Sequence, residues 1–553
     1  MPKIEDNETY DINTLPEAFT TRMKQQLWDA FPAFLESYRK PVAGTLRLNT
    51  LRMDKEAALA LSKEAGLLSS DSSVPWDPDG LYFDPASRPG KNILHEAGFY
   101  YMQEASAMLP GRLLDPQPSE KILDLCAAPG GKSVQIGMAM KGLGLLVSNE
   151  IHPARAAILS ENIERMGIAN ALVTNEDPAR LAARFPFFFD RVLVDAPCSG
   201  EGMFRKHPEA ALEWSPENVT MCSQRQLMIL ESAHVMLRPG GRLVYSTCTF
   251  SEEENESVIK EFLQRHPEYN PVTTGTDSKS LEASDHSAAF HLANLPSYGV
   301  SATAPGCYRI YPHLAPGEGH FAAVMEKGGM GADMEKTTDG INTDDVIKSA
   351  SGLRTTSDIY EINENRSKGK QKKKRSGKKQ TSDAALYKPL YTFFEDTINA
   401  SCDAPFATAV RSGDTSRLYA LGQQIYLLPE GCPAPDGVKV QRPGLHLGTL
   451  RNDRFEPSLA LARALTSQDV IHYANHLSTD NKTTNDPTGT QNDICKADAR
   501  CLQDYFAGNT LPATDQKGWT LVCAAGIGIG WGKSSGGIVK NHYPKGLRKQ
   551  LET

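Results

Sequence analysis

At 553 residues the chain is long enough for three or four domains of about 150 residues each. Hydrophobic residues make up 40% and charged residues 23%, an ordinary balance for a globular protein whose cores need no staples. The net charge of −8 excludes a basic field over the whole surface, so any nucleic-acid contact has to come from local patches.

No apolar run approaches the roughly 20 residues of a membrane helix. The start, Met1–Asn7, has no apolar signal core, which points to the cytoplasm and away from membranes. Ten cysteines include no CxxC pair, so free thiols in a reducing compartment and no metal are expected.

Along the chain, Phe19, Met23 and Leu27 recur at helical spacing, followed by Phe31 and Phe34. Gly44–Arg52 reads as strand-like. From Lys121 short apolar runs alternate with helical patterns. Strands are expected at Ile122–Leu125, Leu145–Ser148, Val192–Asp195 and Leu243–Ser246. A helix is expected over Pro153–Met166, with Pro153 suited to its first turn and Gly167 to its C′ position. Ser251–Glu254 reads as a capping box opening another helix. Late strands near Cys307–Tyr311 and His320–Met325 could close the sheet. The alternation implies βαβ units and a parallel sheet.

Polar Thr274–Ala288 and the long Gly328–Asp383 segment read as poorly ordered. The latter ends in Arg366–Lys379, nine basic residues and no acid. Beyond it, aromatics and apolar runs resume, with a polar insertion near Ser478–Asp493. The resulting division is 1–115, a core over 116–327, a disordered basic linker over 328–383 and a C-terminal domain over 384–553.

Four segments carry the chemistry. In Ile122–Lys132 a strand ends in small residues and glycines before a helix, letting a ligand approach free backbone N–H groups. The segment matches neither GxGxxG nor a phosphate-binding Walker loop. Glu150 follows the next strand and suits the two hydroxyls of a ribose; by itself it also reads as a solvated acid. Asp177 lies where a third strand should end. Asp195 and Cys198 follow one strand end, and Cys248 follows another. A lone cysteine is usually a small core residue. Two thiols at the carboxyl edge of one parallel sheet, where open α/β folds place ligands, ask for more explanation.

Cytosine chemistry supplies one. C5 of the ring is a poor nucleophile until a thiolate adds at C6. An acid near N3, a task for Asp195, stabilises the charge that develops. A second thiol near C5 assists release once the C5 proton leaves. The base must first leave its stack.

Together, CAAPGGK at Cys126–Lys132, DAPCSGEGMFRK at Asp195–Lys206 and STCTFSEEENE at Ser246–Glu256 resemble the Nol/Nop/Sun family of S-adenosylmethionine-dependent RNA cytosine-5 methyltransferases. The likeness is greatest to its bacterial branch acting on small-subunit ribosomal RNA. Tyr311–His313, Gly317–Phe321, Pro443–Gly448, Arg454–Pro457 and Gly530–Arg548 extend it over most of the chain. It implies an α/β fold with a Rossmann-like class I methyltransferase core, a small N-terminal α+β RNA-contacting domain and a C-terminal PUA-like RNA-binding domain.

Carried over by position, it makes Cys248 the nucleophile and Cys198 the helper of product release. Asp195 contacts the base beside the cofactor, S-adenosylmethionine. Cys126, Ala127, Ala128, Pro129, Gly130, Gly131 and Lys132 wrap the methionine end, Glu150 holds the ribose and Asp177 the adenine. Lys132 and Lys206 adjoin the substrate region, and Tyr101–Ser106 abuts the donor site. Spacing alone leaves open which thiol attacks, since DNA cytosine-5 enzymes use the PC-motif cysteine; the resemblance favours Cys248.

Arg47–Arg52 reads either as part of an RNA-contacting strand or as a strand with exposed arginines. The implied partner is RNA, 16S ribosomal RNA foremost and transfer RNA as the alternative, with no metal and a monomeric protein. A non-catalytic assembly factor, a dehydrogenase and a DNA methyltransferase are the competing readings. The retained thiols and Asp195, the missing GxGxxG and the TC motif count against them in turn.

Overall fold

The computed structural model describes residues 10–68, 73–273, 292–329, 386–476, 499–512 and 517–551. The expectations for Thr274–Ala288, Arg366–Lys379 and Ser478–Asp493 lie outside the described residues.

Five strands run parallel in the order Leu237–Thr247, Phe189–Asp195, Lys121–Asp124, Leu145–Asn149 and Ala171–Thr174. They are apolar nearly throughout because both faces are covered. Ile122, Leu146, Leu193 and Val244 pack on one face with Val134 and Ile136 of helix Gly131–Ala139 and Leu159 and Ile163 of helix Pro153–Arg165. Leu123, Val147, Val192 and Tyr245 pack on the other with Leu181, Leu230, Ala233 and Val258. The result is a doubly wound, Rossmann-like core. His320–Lys327, Cys307–Ile310 and Val300–Ala304 extend one side antiparallel, as the two late apolar runs suggested.

Pro153 opens its helix and Gly167 follows it at φ 74°, both as expected. The Ser251–Glu254 expectation is corrected. The Ser251 hydroxyl accepts the Glu254 N–H at 3.3 Å, but residues 252–255 form turns and the helix begins at Glu256. Glu254 has a stronger use, because its carboxylate is fully buried against Ser199 and Gln226.

The N-terminal helices Glu17–Leu27 and Phe31–Tyr38 bury Phe19, Met23 and Phe34 against Phe204, Trp214 and Phe250 of the core. Thr45–Leu48 is a central strand of a four-stranded antiparallel sheet. Of the two readings of this strand, the one with exposed arginines fails at Arg47. Arg47 is only 4% exposed and lies 3.1 Å from Asp77 and 3.2 Å from Asp79. Arg52 donates to the carbonyls of Ala97 and Gly528, tying the N-terminal sheet to the C-terminal region.

The C-terminal residues build a four-stranded and a five-stranded sheet, and Val440–Arg442 pairs antiparallel with Ala171–Thr174 at the edge of the core sheet. Among the described residues no helix is long and apolar enough to cross a membrane.

Candidate functional site

The cysteine pair, Asp195, the Cys126–Lys132 loop, Glu150 and Asp177 fall at the carboxyl edge of the parallel strands. Asp195 ends its strand in register with Ser246, and Cys248 is one residue beyond the neighbouring strand. The Sγ atoms of Cys198 and Cys248 are 3.3 Å apart. Two loops must approach closely for this. The N–H of Gly202 donates to the Cys248 carbonyl at 2.7 Å, and a Cβ at Gly202 would stand 2.9 Å from that oxygen.

The Cys198 loop is pinned from beneath. Glu254 accepts the Ser199 N–H and the Gln226 side-chain amide, each at 2.9 Å, and the Ser199 hydroxyl at 2.5 Å. Burial pushes the Glu254 carboxyl up to about 7. The hydrogen bond to Cys248, followed by burial, holds the Cys198 thiol well above its usual range. The Cys198 thiol therefore keeps its proton, and either sulfur can donate in the contact between the two.

Asp195 sits beside the thiols in a dense polar cluster. Lys132 donates to one carboxylate oxygen and Ser246 to the other, both at 2.7 Å, while His320 Nε2 lies 3.5 Å away. Burial opposes ionisation, but the charge of Lys132 and the contact with His320 outweigh it and hold Asp195 well below the usual carboxylate range. Burial, reinforced by Lys132, lowers His320, so the ring is neutral with a buried Nε2 that lacks a hydrogen-bond partner.

The Cys126–Lys132 loop leaves its strand with the Ala127 N–H on Asn149 O at 2.8 Å and turns at Gly130, φ 117°. That value lies in the region open to glycine. Arg155 donates to Ala128 O at 2.8 Å and Asn162 to Pro129 O at 2.9 Å, fixing the loop from the next helix. A Cβ at Gly131 would meet the Tyr101 ring at 3.2 Å, so Tyr101–Ser106 does abut this loop. The helix beginning at Gly131 has no side-chain cap, leaving its first N–H groups for a ligand.

Glu150 is 3% exposed, accepts the His152 N–H at 2.9 Å and faces Arg155 at 3.5 Å. Asp177 caps the helix Pro178–Arg184 by accepting the Ala179 N–H at 2.9 Å. Asp124, beneath the loop, is pushed up to about 7 by burial, and its Oδ1 has no hydrogen-bond partner. This edge is an acid-lined cradle with a glycine turn, suited to a cationic nucleoside.

Sequence reading missed Ser246, Glu254 and His320 as site residues. Ser246 and Glu254 lay inside the recognised STCTFSEEENE segment, and His320 inside Gly317–Phe321. Only their partners 51, 55 and 125 residues away reveal their use. Lys206 is exposed, and among the described residues its side chain makes no hydrogen bond or ion pair with the cluster.

Four family models match in succession. They are the N-terminal domain of 16S rRNA methyltransferase RsmF over residues 15–105 and 16S rRNA methyltransferase RsmB/F over 111–326. The RsmF rRNA methyltransferase first C-terminal domain follows over 402–465, and the methyltransferase RsmF PUA domain over 495–549. Ribosomal RNA small subunit methyltransferase F of Klebsiella pneumoniae is 36% identical over 322 residues, covering 56% of this chain and 63% of that protein. The protein of the same name from Citrobacter koseri is 36% identical over 320 residues, with the same coverage. The chain thus spans less than two thirds of the length of these relatives.

Among solved structures, a methyltransferase homolog from Pyrococcus horikoshii is 26% identical with a TM-score of 0.46, covering 57% of this chain and 100% of that one. NSun6 from the same organism is 22% identical with a TM-score of 0.47, covering 57% and 99%. With its N-terminal, catalytic, first C-terminal and PUA segments all matched in order, the chain belongs to the 16S rRNA methyltransferase RsmB/F family.

Proposed function

We propose that the protein transfers a methyl group from S-adenosylmethionine to C5 of a cytosine in 16S ribosomal RNA through a covalent bond between Cys248 and ring atom C6. The observation that carries this reading is the pair of thiols 3.3 Å apart beside an ionised Asp195.

The donor supplies an electrophilic methyl carried on a sulfonium. The residues present fit it: Asp124 offers a buried unpartnered oxygen, Glu150 and Asp177 follow the ends of neighbouring strands, and the helix beginning at Gly131 has no side-chain cap. In this reading Glu150 holds the ribose, Asp177 the adenine edge and Cys126–Lys132 the methionine end.

The chain's own side chains then divide the chemistry. Cys198, kept protonated, donates to Cys248 and favours its thiolate. Cys248 Sγ adds to C6, breaking the C5–C6 π bond and raising the electron density at C5. Asp195, held in place by Lys132 and Ser246, accepts from the exocyclic amino group of the extruded base, and the Lys132 ammonium offsets negative charge developing at the neighbouring N3. After methylation a base removes the C5 proton, and the bond from Cys248 to C6 breaks as the double bond re-forms. Cys198 lies close enough to return a proton to the departing sulfur.

Incubating the protein with methyl-labelled donor and 16S ribosomal RNA, free or in the small subunit, followed by nucleoside digestion, tests the reading. Label in 5-methylcytidine is expected; label confined to another base atom or to ribose would overturn it.

A further inference from the structure

We propose that His234, His266 and Glu268 form a binding site for one divalent transition-metal ion of the zinc class, at the end of the core sheet opposite the thiols. His234 lies near the C-terminus of helix Pro216–Met236, His266 caps helix Glu256–Arg265, and Glu268 directly precedes strand Tyr269–Pro271. The strand leading from here, Leu237–Thr247, reaches Cys248 only after 11 residues, about 36 Å of extended chain. Three protein ligands would leave the fourth position of a tetrahedral ion to water.

Ligand atoms of the three side chains lie within 4.8 Å of one another. The Nδ1 atoms of His234 and His266 are each 3.6 Å from Glu268 Oε1. Ligands about 2.0–2.1 Å from a tetrahedral zinc are themselves roughly 3.4 Å apart, so two of the three separations are nearly right. The imidazole rings stack at 4.0 Å with an interplanar angle of 27°, which turns both Nδ1 atoms toward the same carboxylate.

His266 Nε2 lies 2.8 Å from the Glu231 carboxylate. That contact engages Nε2, while Nδ1 faces Glu268 at a distance too long for a hydrogen bond and is the atom a metal would take. A carboxylate behind a histidine in this manner is the usual outer support of a metal ligand. His234 Nδ1 is also 3.3 Å from the Tyr269 hydroxyl, a contact the metal would replace.

Lys327, donating to the carbonyls of His234 and Leu237, opposes a cation here, as does Arg265 on Glu231. The two carboxylates Glu231 and Glu268 balance them. Imidazole nitrogen with one carboxylate selects zinc over magnesium or calcium, which prefer all-oxygen shells.

The test uses tag-free full-length protein carrying Cys198→Ser and Cys248→Ser, so that the adjacent thiols do not compete for metal. After chelator treatment, Zn2+ is titrated by calorimetry and Co2+ by visible absorption. One equivalent bound, with the absorption intensity of four-coordinate cobalt, is expected. Glu268→Gln, at a half-exposed position, should weaken binding at least tenfold while the metal-free thermal midpoint stays put. His266→Asn should weaken it further. Absence of stoichiometric binding, or binding that neither substitution changes, overturns the proposal. So does an imidazole NMR signal showing His266 doubly protonated at neutral pH and unmoved by added metal.

Discussion

Cys198 and Cys248 face each other at 3.3 Å, although 50 residues separate them and each hangs from a different strand. In the proposed mechanism Cys248 attacks the ring and Cys198, its thiol held well above its usual range, assists departure. Cys198→Ala should therefore let the covalent bond to RNA form but not resolve. A band resistant to denaturing electrophoresis is expected with donor and RNA present. Cys248→Ala should give no such band. Adducts from Cys248→Ala, and none from Cys198→Ala, would exchange the two roles.

Glu150 combines deep burial with only a half-exposed arginine as its ionic partner. Holding two ribose hydroxyls would give it a purpose beyond accepting the His152 N–H. Glu150→Ala should weaken S-adenosylmethionine about tenfold, near 1.4 kcal/mol, the scale of hydrogen bonds to a charged group. Calorimetric titration of folded variant protein measures it, and an affinity equal to that of the wild type would remove Glu150 from the donor site.

Burial raises Glu254 to about 7, whereas in the unfolded chain it titrates near 4.5. Between these values the native state holds a proton that the unfolded state has lost. Unfolding free energy should thus fall as pH rises from about 4.5 to 7, with a slope of up to about 1.4 kcal/mol per pH unit, and level off above. Asp124 and Glu318, raised by burial in the same direction, add to the wild-type slope. The decisive quantity is consequently the difference from Glu254→Gln, which should be flatter across this window in urea denaturation at pH 5, 6 and 7. Identical slopes would mean that Glu254 ionises freely in the folded protein.

The parallel core was readable because each central strand is covered on both faces and so shows as a short apolar run. The edge carrying the chemistry was readable because small residues, glycines and thiols follow those runs directly. What could not be read depends on partners distant in the chain. Glu254 looks like a helix-capping acid until Ser199 and Gln226 are placed beside it. Val440–Arg442 carries no sign that it will pair with Ala171–Thr174, more than 260 residues earlier. His234 and His266 stand 32 residues apart, outside any recognisable metal spacing.

Arg47 is the sharpest instance and yields the remaining prediction. In a basic-looking strand it suggests contact with phosphate, yet it is buried between Asp77 and Asp79, and Asp77 is itself fully buried. Removing the cation leaves Asp77 with the Gln135 amide at 2.8 Å and the Asp79 N–H at 3.0 Å, but no counter-charge. Arg47→Met should therefore cost about 3–5 kcal/mol in denaturant unfolding, as stripping one partner from a buried pair does. Asp77→Asn in the same background should recover part of that loss by discharging the stranded carboxylate. A loss under about 1 kcal/mol, the scale of a solvent-exposed pair, would place Arg47 at the surface and restore it as a candidate for binding RNA.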